Sequence, residues 1–188
     1  SGSFSSQQGI IPKSDFRRAS LRLNNEYRVS NFVTVGHNIA FNYTDFLAPP
    51  GVTESVYRAM PTVAPRNEEG AFSDLTPVGN PLASIEYTMN DRNGQRTVGN
   101  VYADVFFLRD FTFRTSFGLD LNRSEGRNFS PIFFVSPTQQ SDDRSISVFT
   151  DYFRNVLWEN TLTYRRFFGN HSINVLGGVT MQDHRFES

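Results

Sequence analysis

The sequence predicts an all-β fold: an antiparallel meander of about six strands, each long enough to cross a bilayer, forming a partial segment of a larger membrane β-barrel with long loops at one end. Three observations carry this. Apolar residues recur with period two over several stretches. Short turns and long connections alternate along the chain. Aromatic residues gather beside the short turns.

Composition bounds the alternatives. The chain has 188 residues, a net charge of −1, no cysteine, three histidines and 19 phenylalanines. Without cysteine there is no disulfide framework, thiolate zinc site, Cys nucleophile or iron–sulfur cluster. His37, His171 and His184 are too widely spaced for a metal motif. A pI near 6.3 argues against nucleic acid as a partner. Mean hydropathy is −0.42, and no run of 18 apolar residues is present, so no transmembrane helix is expected. Ser1-Gly2-Ser3-Phe4 lacks the basic and apolar regions of a signal peptide. Abundant Phe in a chain of modest hydropathy is the composition's one tension: either the core is unusual or Phe faces something other than a protein core.

The strands follow in order. In the first strand, about 17–29, Ala19, Leu21, Leu23, Asn25, Tyr27 and Val29 alternate with Arg18, Ser20, Arg22, Asn24, Glu26 and Arg28. Successive side chains of a strand point to opposite faces, and a helix would bury neither set. Over 33–44, Val33, Val35, Ile39, Phe41 and Tyr43 alternate with Thr34, Gly36, Asn38, Ala40, Asn42 and Thr44. Over 98–108 the apolar set is Val101, Ala103, Val105 and Phe107, with both faces turning apolar near Phe106. Over 111–122 it is Phe111, Phe113, Phe117, Leu119 and Leu121. The fifth strand, 145–165, carries Val156, Trp158, Leu162 and Tyr164. The sixth, 172–183, carries Ile173, Val175, Val179 and Met181. No Asp, Glu, Lys or Arg stands on the apolar faces within 18–29, 33–44, 100–108, 111–122, 156–165 and 172–182. Alternation by itself suits a soluble sandwich and a membrane barrel equally.

The connections discriminate. Turns near Ser30-Asn31, at Arg109-Asp110 and across 166–170 have hairpin length. The other two connections, about 45–96 and 123–144, are long. In a meander, alternate connections lie at opposite ends, so one end is all tight turns and the other all loops. Membrane barrels have this asymmetry. Tyr27, Phe32, Phe111, Tyr164, Phe167 and Phe168 crowd the tight-turn end as an interfacial girdle would.

Within loop 45–96, Ala48-Pro49-Pro50-Gly51 is stiff. Thr53 is expected to cap a short helix with Glu54 and Arg58 as an i,i+4 pair, ended by Pro61. Asn67 to Gly70 and Gly79-Asn80-Pro81 read as turns. Val63, Phe72, Leu75, Leu82 and Ile85 argue that this loop packs on its neighbours. Loop 123–144 holds an apolar knot at Phe129 and 132–135, expected to anchor it.

No catalytic motif is present: no nucleophile elbow, P-loop, dinucleotide fingerprint or H-E-x-x-H. Asp142-Asp143 and Glu68-Glu69 read as solvated loop carboxylates, and Asp120 with Glu125 has no support as a glycosidase pair. The expectation is no enzyme, no catalytic residue, no metal and no cofactor. Six strands are too few to close a barrel, since the smallest have eight and an open edge would strand backbone groups in hydrocarbon.

Several stretches resemble the barrel region of SusC/RagA-type TonB-dependent outer-membrane transporters of Bacteroidetes. They are 8–11 leading to 15–24, 33–36, 79–83, 98–104 and 111–118. The clearest is Trp158-Glu159-Asn160-Thr161-Leu162-Thr163-Tyr164, followed by 168–178. The resemblance covers nearly the whole chain; each stretch is short, and their order and spacing carry the likeness. It implies a fragment, residues 1–188, of a 22-stranded barrel in the outer membrane of a Gram-negative bacterium. It further implies import of oligosaccharide or peptide with a SusD-like lipoprotein as lid, and energy from TonB through an N-terminal plug and TonB box. Those parts and the C-terminal strand have no counterpart in the matched stretches. On this reading the apolar faces meet outer-membrane lipid and loops 45–96 and 123–144 face outside. Arg22, Asp104, Arg114 and Asp120 face the lumen as candidate substrate contacts. The competing reading is a soluble all-β module that binds a ligand such as carbohydrate.

Overall fold

The computed structural model describes residues 1–188. Its main sheet has seven strands: β1 (Gly2–Gln8), β2 (Asp15–Arg28), β3 (Val33–Leu47), β4 (Met89–Phe107), β5 (Phe111–Ser130), β8 (Ser145–Phe168) and β9 (His171–Glu187). A hairpin of β6 (Phe133–Ser136) and β7 (Gln139–Ser141) lies between β5 and β8, and two helices, α1 (Thr53–Arg58) and α2 (Pro81–Tyr87), lie between β3 and β4. The strand order β1-β2-β3-β4-β5-β8-β9 is an uninterrupted antiparallel meander.

The tight turns, residues 29–32, 108–110 and 169–170, share one end. Gly169 takes φ +60° at the first position of a two-residue hairpin loop, where a type II′ turn places glycine. The connections 9–14, 48–88 and 131–144 share the other end. No second layer covers either face of the sheet, and only nine residues of the chain are buried. A sandwich is therefore not what this sheet forms.

Three expectations are corrected. β1 pairs with β2 from Gly2↔Leu21 to Gln8↔Asp15, a seventh strand that the polar run Ser5-Ser6-Gln7-Gln8 conceals from a periodicity search. The loops are shorter than 45–96 and 123–144, because β4 begins at Met89 and β5 runs to Ser130. Residues 89–95 and 123–129 pair with each other in full register, yet both faces are largely polar there, so no alternation marks them. In α1 the cap position is Val52 rather than Thr53, and no side chain caps it. The helix keeps its Glu54–Arg58 pair at 3.0 Å and ends at Ala59 before Pro61.

The buried core sits in the long loops. Val52, Leu75, Ala83 and Ile85 are its apolar members. Asn80 is its hub, fully buried. Its Oδ1 accepts from Leu82 N at 3.1 Å and Ala83 N at 3.3 Å, capping α2 above Pro81 at the first turn. Its Nδ2 donates to Pro65 O at 2.7 Å and Ser73 O at 3.0 Å. Gln139 of β7 docks on the same residue, accepting from Asn80 N at 2.7 Å and donating to Asn80 O at 2.9 Å. Gly79 makes that approach possible: at φ +82° beside Gln139, it holds a backbone shape that other residues rarely adopt. Tyr87 then stacks on Phe133 at 4.6 Å and meets Phe72 edge-on at 5.5 Å. The two long loops thus form one packed cap, with Phe133 as its anchor while Phe134 stays exposed.

Register gives the sheet its slant. Val33, the first residue of β3, pairs with Val105, and β4 runs two residues further to Phe107 before turning. Phe111 pairs with Tyr164, and β8 runs four residues further to Phe168. If the turns share one level, a drift of about six residues over four strand spacings is ~20 Å along the strands against ~19 Å across them. The strands then tilt by ~45°, as in membrane barrels.

Candidate functional site

Paired residues of neighbouring strands lie on one face of a sheet, so the register sorts every side chain. Arg22↔Ala40↔Val98↔Asp120↔Asn155 form one row of the polar face. Thr34↔Asp104↔Arg114↔Thr161 form another, nearer the tight turns. All four candidates from the sequence therefore share a face, but they fall into two groups.

The first group lines a cavity of about 570 Å³ with Asn24, Asn38, Asn100 and Glu159 around Arg22 and Asp120. Asn38 Nδ2 donates to Asn100 Oδ1 at 3.2 Å, and Asn100 Nδ2 to Ser116 Oγ at 3.2 Å. Asp120 is held by Arg96, through Nε at 3.0 Å and Nη2 at 2.8 Å. The Arg22 guanidinium and the Glu159 carboxylate have no ion-pair partner. The cavity thus offers one free cation, one free anion and a ladder of amides.

The second group is a clasp. Arg114 grips Asp104 with both arms, Nε to Oδ1 at 2.6 Å and Nη2 to Oδ2 at 2.7 Å, and Asp104 is only 6% exposed. The Arg114 guanidinium also stands 4.8 Å over the Tyr102 ring. Tyr102 Oη donates to Glu26 at 2.7 Å. The ring lies across Gly36, its register partner, where any Cβ would collide with it. Four strands, β2 to β5, are tied together at this point. With both partners engaged, Asp104 and Arg114 have little left for a ligand, whereas Arg22 is free.

Sequence reasoning did not single out Arg96, Tyr102, Glu26 or Glu159. Parity placed Glu26, Tyr102 and Glu159 on the polar face. Arg96 stood in a segment read as loop, and only the register identifies the partners.

The other face is apolar. Near the tight turns Phe107 stacks on Phe111 at 5.6 Å, and Phe111 meets the tilted ring of Tyr164 at 4.8 Å. Counted from each turn, the first charged residues above this girdle are Arg17 on β2, Asp45 on β3, Arg123 on β5, Arg154 on β8 and Asp183 on β9. On β4, Gln95 stands at that level. These residues are not in one register row; they share a level, roughly 14 residues from each turn, only once the strands are slanted. The charge-free belt below them is about 11 residues deep, or ~26 Å at a 45° tilt, the height of the apolar band of a membrane barrel. Trp158 lies in this belt, and its Nε1 donates to Thr115 Oγ1 at 3.2 Å, so its N–H needs no water.

No protein-family model matches the chain. Among curated proteins it is 24% identical over 196 residues to TonB-dependent receptor P3 of Formosa agariphila, covering 97% of this chain and 19% of that protein. It is 24% identical over 182 residues to TonB-dependent receptor P26 of the same organism, covering 94% of this chain and 18% of the other. The chain is similar in sequence to TonB-dependent receptors. This receptor-like segment spans about a fifth of the length of the curated relatives it matches. Its fold superposes on the RagAB peptide transporter with a TM-score of 0.72 at 16% identity, over 97% of this chain and 22% of that one. With the RagAB peptide importer in its closed-closed state the TM-score is 0.71 at 17% identity, over 98% and 23%. The open-open state gives 0.68 at 14%, over 98% and 26%. With 66% strand and 7% helix, the segment is an open stretch of a large antiparallel barrel wall.

Proposed function

We propose that this chain forms part of the wall of an outer-membrane, TonB-dependent importer of peptides or oligosaccharides that works with a SusD-like surface lipoprotein and, through an N-terminal plug, with TonB. The observation that carries this reading is the charge-free belt. With the turns set at one level, its depth matches a bilayer and its upper limit falls at one level on strand after strand. The end-to-end asymmetry of turns and loops supports the same orientation, with tight turns toward the periplasm and the packed loop cap outside. The sequence relatives are named as TonB-dependent receptors. The solved neighbours are named as a peptide importer, which makes peptide the first substrate to test.

In this role the apolar face meets lipid and the polar face meets the lumen. Arg22, with Glu159 beside it in the same cavity, is the candidate for substrate or plug contact, because both charges are free. Asp104, Arg114 and Asp120 shape the wall that presents them. The loop cap, packed around Asn80, is the part that a lid or substrate would meet from outside.

The test is assembly. Arg introduced at Leu23, Val105 or Phe117 of the receptor puts a charge in the belt, at ~2–4 kcal/mol for Leu23 and Phe117 near mid-depth and less for Val105 near its lower boundary. Outer-membrane levels of these variants should collapse. Normal assembly of all three would overturn the assignment of the lipid face. Peptide uptake by the assembled receptor, weakened by Arg22→Ala, would tie the cavity to transport.

A further inference from the structure

Polar pairs interrupt the apolar face at two places, Thr115 with Asn160 and, nearer the turns, Asn25 with His37. Asn25 of β2 and His37 of β3 are register partners on that face, six residues from the middle of the turn joining their strands. That places them one step above Tyr27 of the girdle, near the lower boundary of the belt. Asn25 Nδ2 donates to His37 Nε2 at 3.3 Å, which leaves the ring proton on Nδ1. The Tyr27 ring lies 6.5 Å from the imidazole. His37 Nδ1–H and the second Asn25 amide proton then have no acceptor in the chain.

A groove of about 410 Å³ has His37 of this pair in its wall and crosses the face between Tyr27 and Phe117. Its floor is Val35, Ala103 and Thr115, small side chains between larger neighbours. The Thr115 hydroxyl already accepts from Trp158. An occupant must be apolar along most of its length and must carry hydrogen-bond acceptors at one end. It meets no charged side chain in the belt. A peptide or sugar would leave its own donors unpaired there, at a high cost in hydrocarbon. An ester-linked lipid fits: its acceptors stand where its acyl chains begin.

We propose that this groove is a binding site for a glycerophospholipid of the leaflet on the tight-turn side. An acyl chain lies over Ala103 and Thr115. Oxygens of the glycerol ester or phosphate accept from His37 Nδ1–H and the free Asn25 amide proton. This rests on the proposed function, in which the apolar face meets lipid. An ionisable side chain facing a membrane interior calls for such a partner.

The experiment uses the receptor purified from its outer membrane in mild detergent. Delipidated protein is titrated with phosphatidylethanolamine, and bound lipid is counted by native mass spectrometry. The wild type should bind one lipid ahead of any others. The double variant N25L/H37L, which remains compatible with the lipid face, should bind it roughly tenfold more weakly, the factor expected for one or two hydrogen bonds. A103F, which fills the groove and keeps the polar pair, should also lose it. Equal lipid binding by the wild type and both variants would overturn the site. So would lipopolysaccharide displacing phospholipid from the wild type. A receptor that stays soluble without detergent would overturn the proposed function itself; a detergent-dependent receptor with unchanged lipid binding sinks only the groove.

Discussion

Parity decides which way a side chain points, and register decides what it meets. Arg22, Asp104, Arg114 and Asp120 were legible as one set because each stands at a polar position of an alternating stretch. Their partners were not, since the pairs Arg96–Asp120, Arg114–Asp104 and Tyr102–Glu26 each join different strands. The clasp yields two predictions. Gly36→Ala should destabilise the assembled barrel by ~1–3 kcal/mol through overpacking against the Tyr102 ring. Gly118→Ala, where a new Cβ makes only an ordinary contact with Leu157 at 3.5 Å, should be nearly neutral. The heat needed to convert folded to unfolded receptor on a semi-native gel separates the two. Arg114→Leu leaves the Asp104 carboxylate buried without its partner and should cost ~1–3 kcal/mol. The double variant Asp104→Asn with Arg114→Leu should recover part of that loss, because the orphaned charge is gone.

Elements were legible where one face is dry and hidden where both are wet. The upper halves of β4 and β5 pair residue by residue from Met89↔Phe129 to Thr97↔Leu121, yet Asn90-Asp91-Arg92-Asn93 has no apolar face to reveal a strand. β1 is hidden for the same reason. The converse holds in the loops, where Gly79-Asn80-Pro81 read as a turn and is the start of α2. The tripeptide also has the helix-start signature, an Asn cap followed by Pro. Its importance comes from Gln139, which docks there from 59 residues away. Asn80→Ala removes a helix cap and strands two carbonyls, Pro65 O and Ser73 O. The cap should loosen by ~2–4 kcal/mol. The check is limited proteolysis of intact cells, with faster cleavage within 48–88 and unchanged levels of receptor in the membrane. Equal protection of variant and wild type would mean that Asn80 does not organise the cap.

For the whole molecule the decisive quantity is slant. With strands drawn straight across the sheet, Arg123 of β5 stands opposite Tyr152, and charged and apolar residues mix in one row. Tilting the rows until the turns share one level brings Arg17, Asp45, Arg123, Arg154 and Asp183 to a common boundary. A pair of substitutions on a single strand tests this boundary. Gln95 and Val101 lie on the same face of β4, six residues apart. Gln95→Arg adds a charge at the boundary and should assemble normally, at a cost of ~0–1 kcal/mol. Val101→Arg adds it inside the belt and should block assembly. The readout is the fraction of each variant recovered in the outer membrane. Similar recovery of both would mean that the belt has no lower and upper limit of this kind.

The sequence by itself determined the fold class, the sense of each face and the end that carries the loops. Each follows from local facts: a strand repeats every two residues, a hairpin needs a short turn, and Phe confined to one face leaves mean hydropathy low. That resolves the tension of 19 Phe in a chain of modest hydropathy. Tertiary structure alone decided the seventh strand, the true loop lengths, the buried hub at Asn80 and the level of the belt. Those depend on which residue pairs with which across long stretches of chain. A hydrogen-bonded register of polar strands leaves no periodic trace, and a tilt is a relation between strands that none of them carries alone.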